Sequence, residues 1–320
     1  MAVVFGIIVV VFVIGLIVGR TGVDDVDYGD VSPERGGWSL YWSDEFTTPD
    51  WTPATLVDPQ WAALNSTYGE GNNELACLTP ANVAAEGGVA VITADRAVTV
   101  CPGGAVRNYS SGFLSSRDAG RFYPLFGRFE IRARIPHGQG LWPAFWLRHR
   151  NGAGVAEVDV MESFHSQAPG SIIQTLHFPG SIGRSKGKVT TPVETPVQGT
   201  GDWHIYAVEI EPTDISGQVR FRFFVDEKQT SEFVNRAAQS FTEGVPMTAA
   251  WDLAVNLAVG GNFVGDPDGD LGFLPHPNRC SLDYLPPPQG DPAACSTDGL
   301  LRAEFPAHYD IDYVRVYTRP

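Results

Sequence analysis

Apolar and polar residues alternate for eight positions from Arg128 to Ile135. A period of two predicts an antiparallel strand with one buried and one solvated face. Pro136-His137-Gly138-Gln139-Gly140 then predicts a turn, and Leu141-Trp142-Pro143-Ala144-Phe145-Trp146-Leu147 is dense in aromatic residues. Further strands are predicted at Trp38–Phe46, at Val83 and Val89–Ala94 around the turn Glu86-Gly87-Gly88, and at Ile172–Phe178, Trp203–Ile210, Val219–Val225, Thr248–Val259 and Tyr309–Tyr317. Each is bounded by Gly, Pro, Asp or Asn. Long amphipathic helical patterns and internal repeats are absent, and one short helix is predicted over Phe233–Gln239. Many short strands separated by turn residues predict an all-β sandwich or jelly roll.

One predicted strand breaks the alternation in an informative way. Glu157-Val158-Asp159-Val160-Met161-Glu162 places three carboxylates in an otherwise apolar segment. Glu157 and Asp159 share a face, whereas Glu162, five positions beyond Glu157, falls on the other side of a regular strand. A β-bulge at Val160–Met161 returns it to the first face. The competing reading is a solvated acidic edge strand.

Composition narrows the setting. A chain of 320 residues, 43% hydrophobic and 11% aromatic, carries a formal net charge of -15. That acidity excludes a nucleic-acid partner, which needs a basic surface. Residues Met1–Gly19 contain no polar side chain. A run of that length predicts an export segment, either a membrane anchor or a signal peptide. Residues 20–37 read as a linker, and 38–320 as a catalytic domain in which the Pro-, Gly- and Asp-rich stretch 265–298 is a surface insertion. Export makes disulfides plausible, and the four cysteines allow three pairings. Nearness in sequence favours Cys77 with Cys101 and Cys280 with Cys295, and no pair has zinc-site spacing.

Two carboxyl groups on one face hydrolyse a glycosidic bond when one is protonated and the other attacks the anomeric carbon or activates water. A separation of about 5–5.5 Å gives retention and about 6.5–9.5 Å gives inversion. Glu157 and Glu162 leaning together approach the retaining value, with the shorter Asp159 between them and hydrogen-bonded to Glu157. Burial beside Trp142 and Trp146 favours a protonated acid. The same indoles offer flat platforms for pyranose rings, and His177 stands on the next predicted strand. Ordinary core packing is the alternative role for each of these three residues.

These features resemble glycoside hydrolase family 16, and within it the laminarinase-like bacterial endo-β-1,3-glucanases. The resemblance covers about residues 38–320 apart from the insertion. It rests on Glu157-Val158-Asp159-Val160-Met161-Glu162 and on Gly140–Leu147 just upstream. Trp42–Phe46, Asn72-Asn73-Glu74-Leu75, Tyr109–Gly112, Asn256–Gly261 and Ile311–Tyr317 are similar to further landmarks of the family. The resemblance implies a concanavalin-like jelly-roll sandwich of two curved antiparallel sheets with a concave sugar cleft. It implies Glu157 as nucleophile, Glu162 as acid/base and Asp159 as their electrostatic helper, with Asn73, Trp142, Trp146 and His177 lining subsites. Catalysis needs no cofactor. A structural calcium ion on the convex face is implied at Glu45, Asp312 and a carbonyl near Gly88, since hard oxygen ligands suit calcium. Two departures touch the cleft: Phe113 stands where many relatives carry Arg, and Gly261-Asn262-Phe263 replaces a common Gly-Asn-Trp.

The function expected from the sequence is retaining endo-hydrolysis of β-1,3-glucan outside the cell by a secreted or membrane-anchored monomer. Its rivals are the same chemistry on mixed-linkage glucan or a galactan, transglycosylation as the main reaction, and non-catalytic β-glucan binding.

Overall fold

The computed structural model describes residues 34–47, 60–67, 72–149, 157–163, 171–178, 187–194, 202–215, 218–235, 248–267 and 303–320. The apolar run 1–19, most of the linker, Cys280, Cys295 and nearly all of the 265–298 insertion lie outside these residues.

Two antiparallel sheets form the domain. Among the described residues, one sheet runs in the order Gly187–Glu194, Ser171–Phe178, Glu157–Glu162, Leu141–His149, Trp251–Val259, Phe113–Ser115, Ala62–Ala63. The other runs Glu34–Arg35, Trp38–Asp44, Ala307–Thr318, Gly127–Arg134, His204–Pro212, Val219–Val225, Lys228–Asn235. Val89–Ala94 also pairs with Ala307–Thr318 and carries Val83–Glu86. Among the described residues the helical content is a single 3-10 turn at Pro80–Asn82.

Strand alternation builds the core. Phe145, Leu147, Val158, Val160, Ile172 and Leu176 face inward from the first sheet and meet Phe129, Ile131, Val208, Phe221, Val314 and Val316 from the second. Each such side chain contributes about 1.5–3 kcal/mol on full burial. The outward face of the first sheet carries the acids. The predicted turn at Gly87-Gly88 is a two-residue hairpin loop in which both glycines have positive φ, at 60° and 82°. That geometry matches the twist of the flanking strands and strongly favours glycine.

Three expectations are corrected. The short helix predicted over Phe233–Gln239 is instead the end of the strand Lys228–Asn235, and 236–239 lie outside the described residues. The cause is a tight hairpin with no glycine: Asp226 and Glu227 take φ of 47° and 66°, Val225 pairs with Lys228, and Phe233 pairs with Phe221. Residues 34–37, assigned to the linker from sequence, are instead part of the fold, because Glu34–Arg35 pairs with Trp38–Ser39 around Gly36-Gly37.

The third concerns Gly127–Arg134, whose polar face is buried at Arg128 and Glu130 and partly exposed only at Arg132 and Arg134. Arg128 is 2% exposed and Glu130 fully buried. The Arg128 guanidinium donates to Glu130 at 2.8 Å, to Glu209 at 3.1 Å and to Glu227 at 2.9 Å. Trp38 Nε1 also donates to Glu209. Mutual neutralisation lets charged groups lie under neighbouring side chains, where alternation alone predicts water.

Candidate active site

The strand Glu157–Glu162 lies between Leu141–His149 and Ser171–Phe178. Glu157 faces His177 and Asp159 faces Thr175, and then the register jumps so that Glu162 faces Ile173. On the other side Trp146 faces Asp159 while Phe145 faces Met161. Val160 is the extra residue of a β-bulge. Val160 and Met161 are both fully buried in the core, and Glu162 returns to the face of Glu157 and Asp159.

His177 ties two of the acids together. Its Nε2 lies 2.9 Å from Asp159 Oδ2 and 3.7 Å from Glu157 Oε1. One atom from each of the three side chains falls within 4.8 Å of the others. His177 is thus hydrogen-bonded to Asp159 and within ion-pair distance of Glu157. With a carboxylate as acceptor, Nε2 carries the hydrogen.

Glu162 has a different environment. Trp142 Nε1 donates to its Oε1 at 3.0 Å. Burial pushes its carboxyl well above the ordinary value, and the charge of Asp159 pushes the same way. The Trp142 bond opposes this, and Glu157 adds a smaller upward push. Desolvation and a neighbouring like charge both favour the neutral acid.

Trp142 is packed edge-on against Phe263, with ring centroids 5.2 Å apart, and joins Ile173, Ala258 and Val264 in a small apolar cluster. Trp146 donates to Asn256 Oδ1 at 2.7 Å and meets the Phe113 ring edge-on. Both indoles are 8% exposed, so each shows little more than an edge. Asn73 sits at the Trp142 end of the face, donating to Asn262 Oδ1 at 2.9 Å. Its loop docks on the end of Trp251–Val259 through Leu75 N to Val259 O and Asn262 N to Asn72 O. Gly260 has φ of 69°, and a Cβ there would lie 2.4 Å from Leu75. Glu74 in the same loop is pushed up to about 7 by burial.

Two arginines on this face escaped the sequence reading. Arg148 is the pairing partner of Glu157 on one side and of Asp252 on the other. Its Nε donates to Asp252 at 2.7 Å and its Nη2 to Ser115 at 2.9 Å, and its guanidinium lies 5.1 Å from the Trp146 ring. Arg117 donates to the same fully buried Asp252. The signal was present in the spacing, because Trp142, Ala144, Trp146 and Arg148 are alternate residues and share one face.

The calcium positions behave differently. Both oxygens of Glu45 accept from Arg315, at 2.9 and 2.8 Å, and Asp312 accepts from Arg132 at 2.7 Å. Gly88 lies against Thr47. A calcium ion at these positions would share the carboxylates with Arg315 and Arg132. Cys77 and Cys101 are disulfide-bonded with Cα atoms 5.5 Å apart, as the sequence predicted.

Comparison with known proteins agrees with this geometry. Residues 72–272 match the family model described as glycosyl hydrolases family 16. A glucan endo-1,3-beta-glucosidase of Cryptopygus antarcticus is 34% identical over 264 residues, spanning 78% of this chain and 92% of the relative. A beta-glucanase of Rhodothermus marinus is 32% identical over 305 residues, spanning 90% and 88%. Among solved structures, an endo-beta-1,3-glucanase from Pyrococcus furiosus superposes with a TM-score of 0.63 at 26% identity, covering 88% of this chain and 94% of that one.

Proposed function

The chain belongs to family 16 of the glycosyl hydrolases, and from that premise we propose that it is a retaining endo-β-1,3-glucanase. The observation that carries the mechanism is the bulge at Val160, which sets Glu157 and Glu162 on one face in unlike environments. Paired carboxyl groups whose environments separate their proton affinities divide the acid and nucleophile roles between them.

In the first step Glu162 gives its proton to the glycosidic oxygen as the C–O bond breaks, and a Glu157 oxygen bonds to the anomeric carbon. The released chain leaves as an alcohol. In the second step Glu162, now a carboxylate, takes a proton from water while the water oxygen displaces Glu157. Two inversions give net retention. Asp159 and His177 hold the charge beside Glu157, and Trp142 orients Glu162. The choice of β-1,3-glucan is supported by the names of the relatives from Cryptopygus and Pyrococcus.

Action outside the cell is part of the proposal. The apolar run Met1–Gly19 and the disulfide Cys77–Cys101 support it, because disulfides persist in oxidising compartments. The test is a product profile on laminarin, lichenan and agarose. Internal cleavage of laminarin with initial retention of anomeric configuration is expected, and cleavage confined to lichenan or agarose overturns the substrate. Glu157→Gln and Glu162→Gln each abolish nearly all turnover of laminarin, and near-normal turnover by either overturns the mechanism. Azide restores activity to Glu157→Ala.

A further inference from the structure

The bulge that aims Glu162 is held from behind by a side chain on the interior of the sandwich. Gln174 is fully buried and lies on the strand Ser171–Phe178, between Ile173, which pairs with Glu162, and Thr175, which pairs with Asp159. It therefore stands opposite Val160 and Met161, one residue against two. Its Nε2 donates to the carbonyl of Val160 at 3.0 Å. The extra residue of a bulge leaves the ladder, so its polar groups need partners from elsewhere.

The same amide reaches the other sheet. Nε2 also donates to Phe224 O at 3.3 Å, and Oε1 accepts from the Thr230 hydroxyl. This second anchor is itself a bulge, because Phe223 pairs with Ser231 and Phe224 with Gln229, leaving Thr230 as the extra residue. Two carbonyls on the nitrogen side and a hydroxyl on the oxygen side fix the amide orientation. A single buried side chain thus links the irregular points of both sheets.

We infer that Gln174 is a positioning residue for the acid/base carboxyl. It holds the Val160 peptide in its bulged conformation, and that conformation turns Glu162 onto the face of Glu157. The link to Thr230 and Phe224 makes the opposite sheet a rigid backstop. Gln174 touches no substrate and no reacting atom. The inference rests on the proposed role of Glu162 as proton donor, and it gives a core position next to the pairing partner of Asp159 a specific part in the chemistry.

The experiment compares two substrates that differ in their need for an acid. Laminarin has a sugar leaving group and needs protonation, whereas a 2,4-dinitrophenyl β-glycoside of laminaribiose has a leaving group that departs unaided. Activity is compared as kcat/KM, which reports the first step and not the later one in which Glu162 acts as base. Glu162→Gln is the reference, and it loses kcat/KM on laminarin far more than on the aryl glycoside. Equal loss on both by this reference overturns the role of Glu162 itself, separately from the role of Gln174. Gln174→Met removes the amide at similar volume. It is expected to lower kcat on laminarin by about 10²-fold, the scale of a misplacement near 1 Å, with KM little changed. On the aryl glycoside kcat/KM stays within about threefold of the parent, since the bond-breaking step it reports does not wait for the acid.

Should Gln174→Met fail to fold, Thr230→Val carries the test. It removes only the distal hydroxyl at a partly exposed site and leaves the bond to Val160. A loss of about tenfold on laminarin is then expected, again sparing the aryl glycoside. Rates are referred to folded protein measured by near-UV circular dichroism. Parallel losses on both substrates, or undiminished laminarin turnover in a folded variant, overturn the inference.

Discussion

The indole nitrogen of Trp142 donates to Oε1 of Glu162 at 3.0 Å, and so favours Oε2 as the oxygen that carries the proton. A carbonyl-type oxygen accepts an N–H better than a hydroxyl oxygen does, so the bond favours the hydrogen on the other oxygen. Trp142→Phe removes the donor and keeps most of the ring. We expect kcat on laminarin to fall about tenfold, the equivalent of roughly 1.4 kcal/mol. The bond lowers the proton affinity of Glu162. Losing it raises that affinity further, and the alkaline limb of the pH–rate profile moves to higher pH. A shift to lower pH would contradict the assignment.

A carboxyl raised by burial also costs stability when it ionises. Glu74 shifts from 4.5 to about 7 through burial beneath its loop, opposed by a bond from Asn72. A group raised in the folded state contributes fully below the unfolded value and loses that contribution as pH rises through the folded one. The window is therefore 4.5 to about 7. Glu74→Gln should match the parent near pH 4 and exceed it at pH 8 by on the order of 3 kcal/mol. Glu162→Gln should gain in the same direction, because Glu162 is raised by the same cause. Urea unfolding at the two pH values checks both.

The bulge was legible from the chain because three acids in six residues demand one face, and only an added residue supplies it. The strands of the core followed from alternation for the same reason. What holds the bulge was not legible. Gln174 reads as one of several polar residues in its strand, and its partners Val160, Phe224 and Thr230 lie on three other strands. The Asp226-Glu227 hairpin was hidden by its turn, whose positive φ angles sit on residues that seldom adopt them. The burial of Arg128 escaped for the reason that Gln174 did, since its partners Glu209 and Glu227 come from beyond its own hairpin.

Cys77 and Cys101 are 24 residues apart in sequence, and their bond closes the loop that leads into Tyr109–Ser111, the parallel partner of Ala76–Leu78. Restricting the unfolded chain over such a span stabilises by about 3 kcal/mol. The double replacement Cys77→Ser with Cys101→Ser should lose that amount in urea unfolding. Turnover at 25 °C should be retained, because neither sulfur contacts Glu157, Asp159 or Glu162.

Arg128 offers the sharpest test of the second sheet. Its guanidinium serves Glu130, which is fully buried, and Glu209, which is 7% exposed. Arg128→Met removes that cation from Glu130 and leaves Glu209 paired with Arg222, and breaking such a buried pair costs about 3–5 kcal/mol. Glu130→Leu alone also leaves a buried charge with one partner fewer. Replacing both removes cation and anion together, so the double variant should be more stable than the sum of the single losses predicts, by at least about 1 kcal/mol. The network lies in the sheet that does not carry Glu157 and Glu162, so kcat per folded molecule should stay at the parental level in all three variants. Additive losses in urea unfolding would mean that Arg128 and Glu130 are held independently, and that Glu209 and Glu227 alone account for the burial of the arginine.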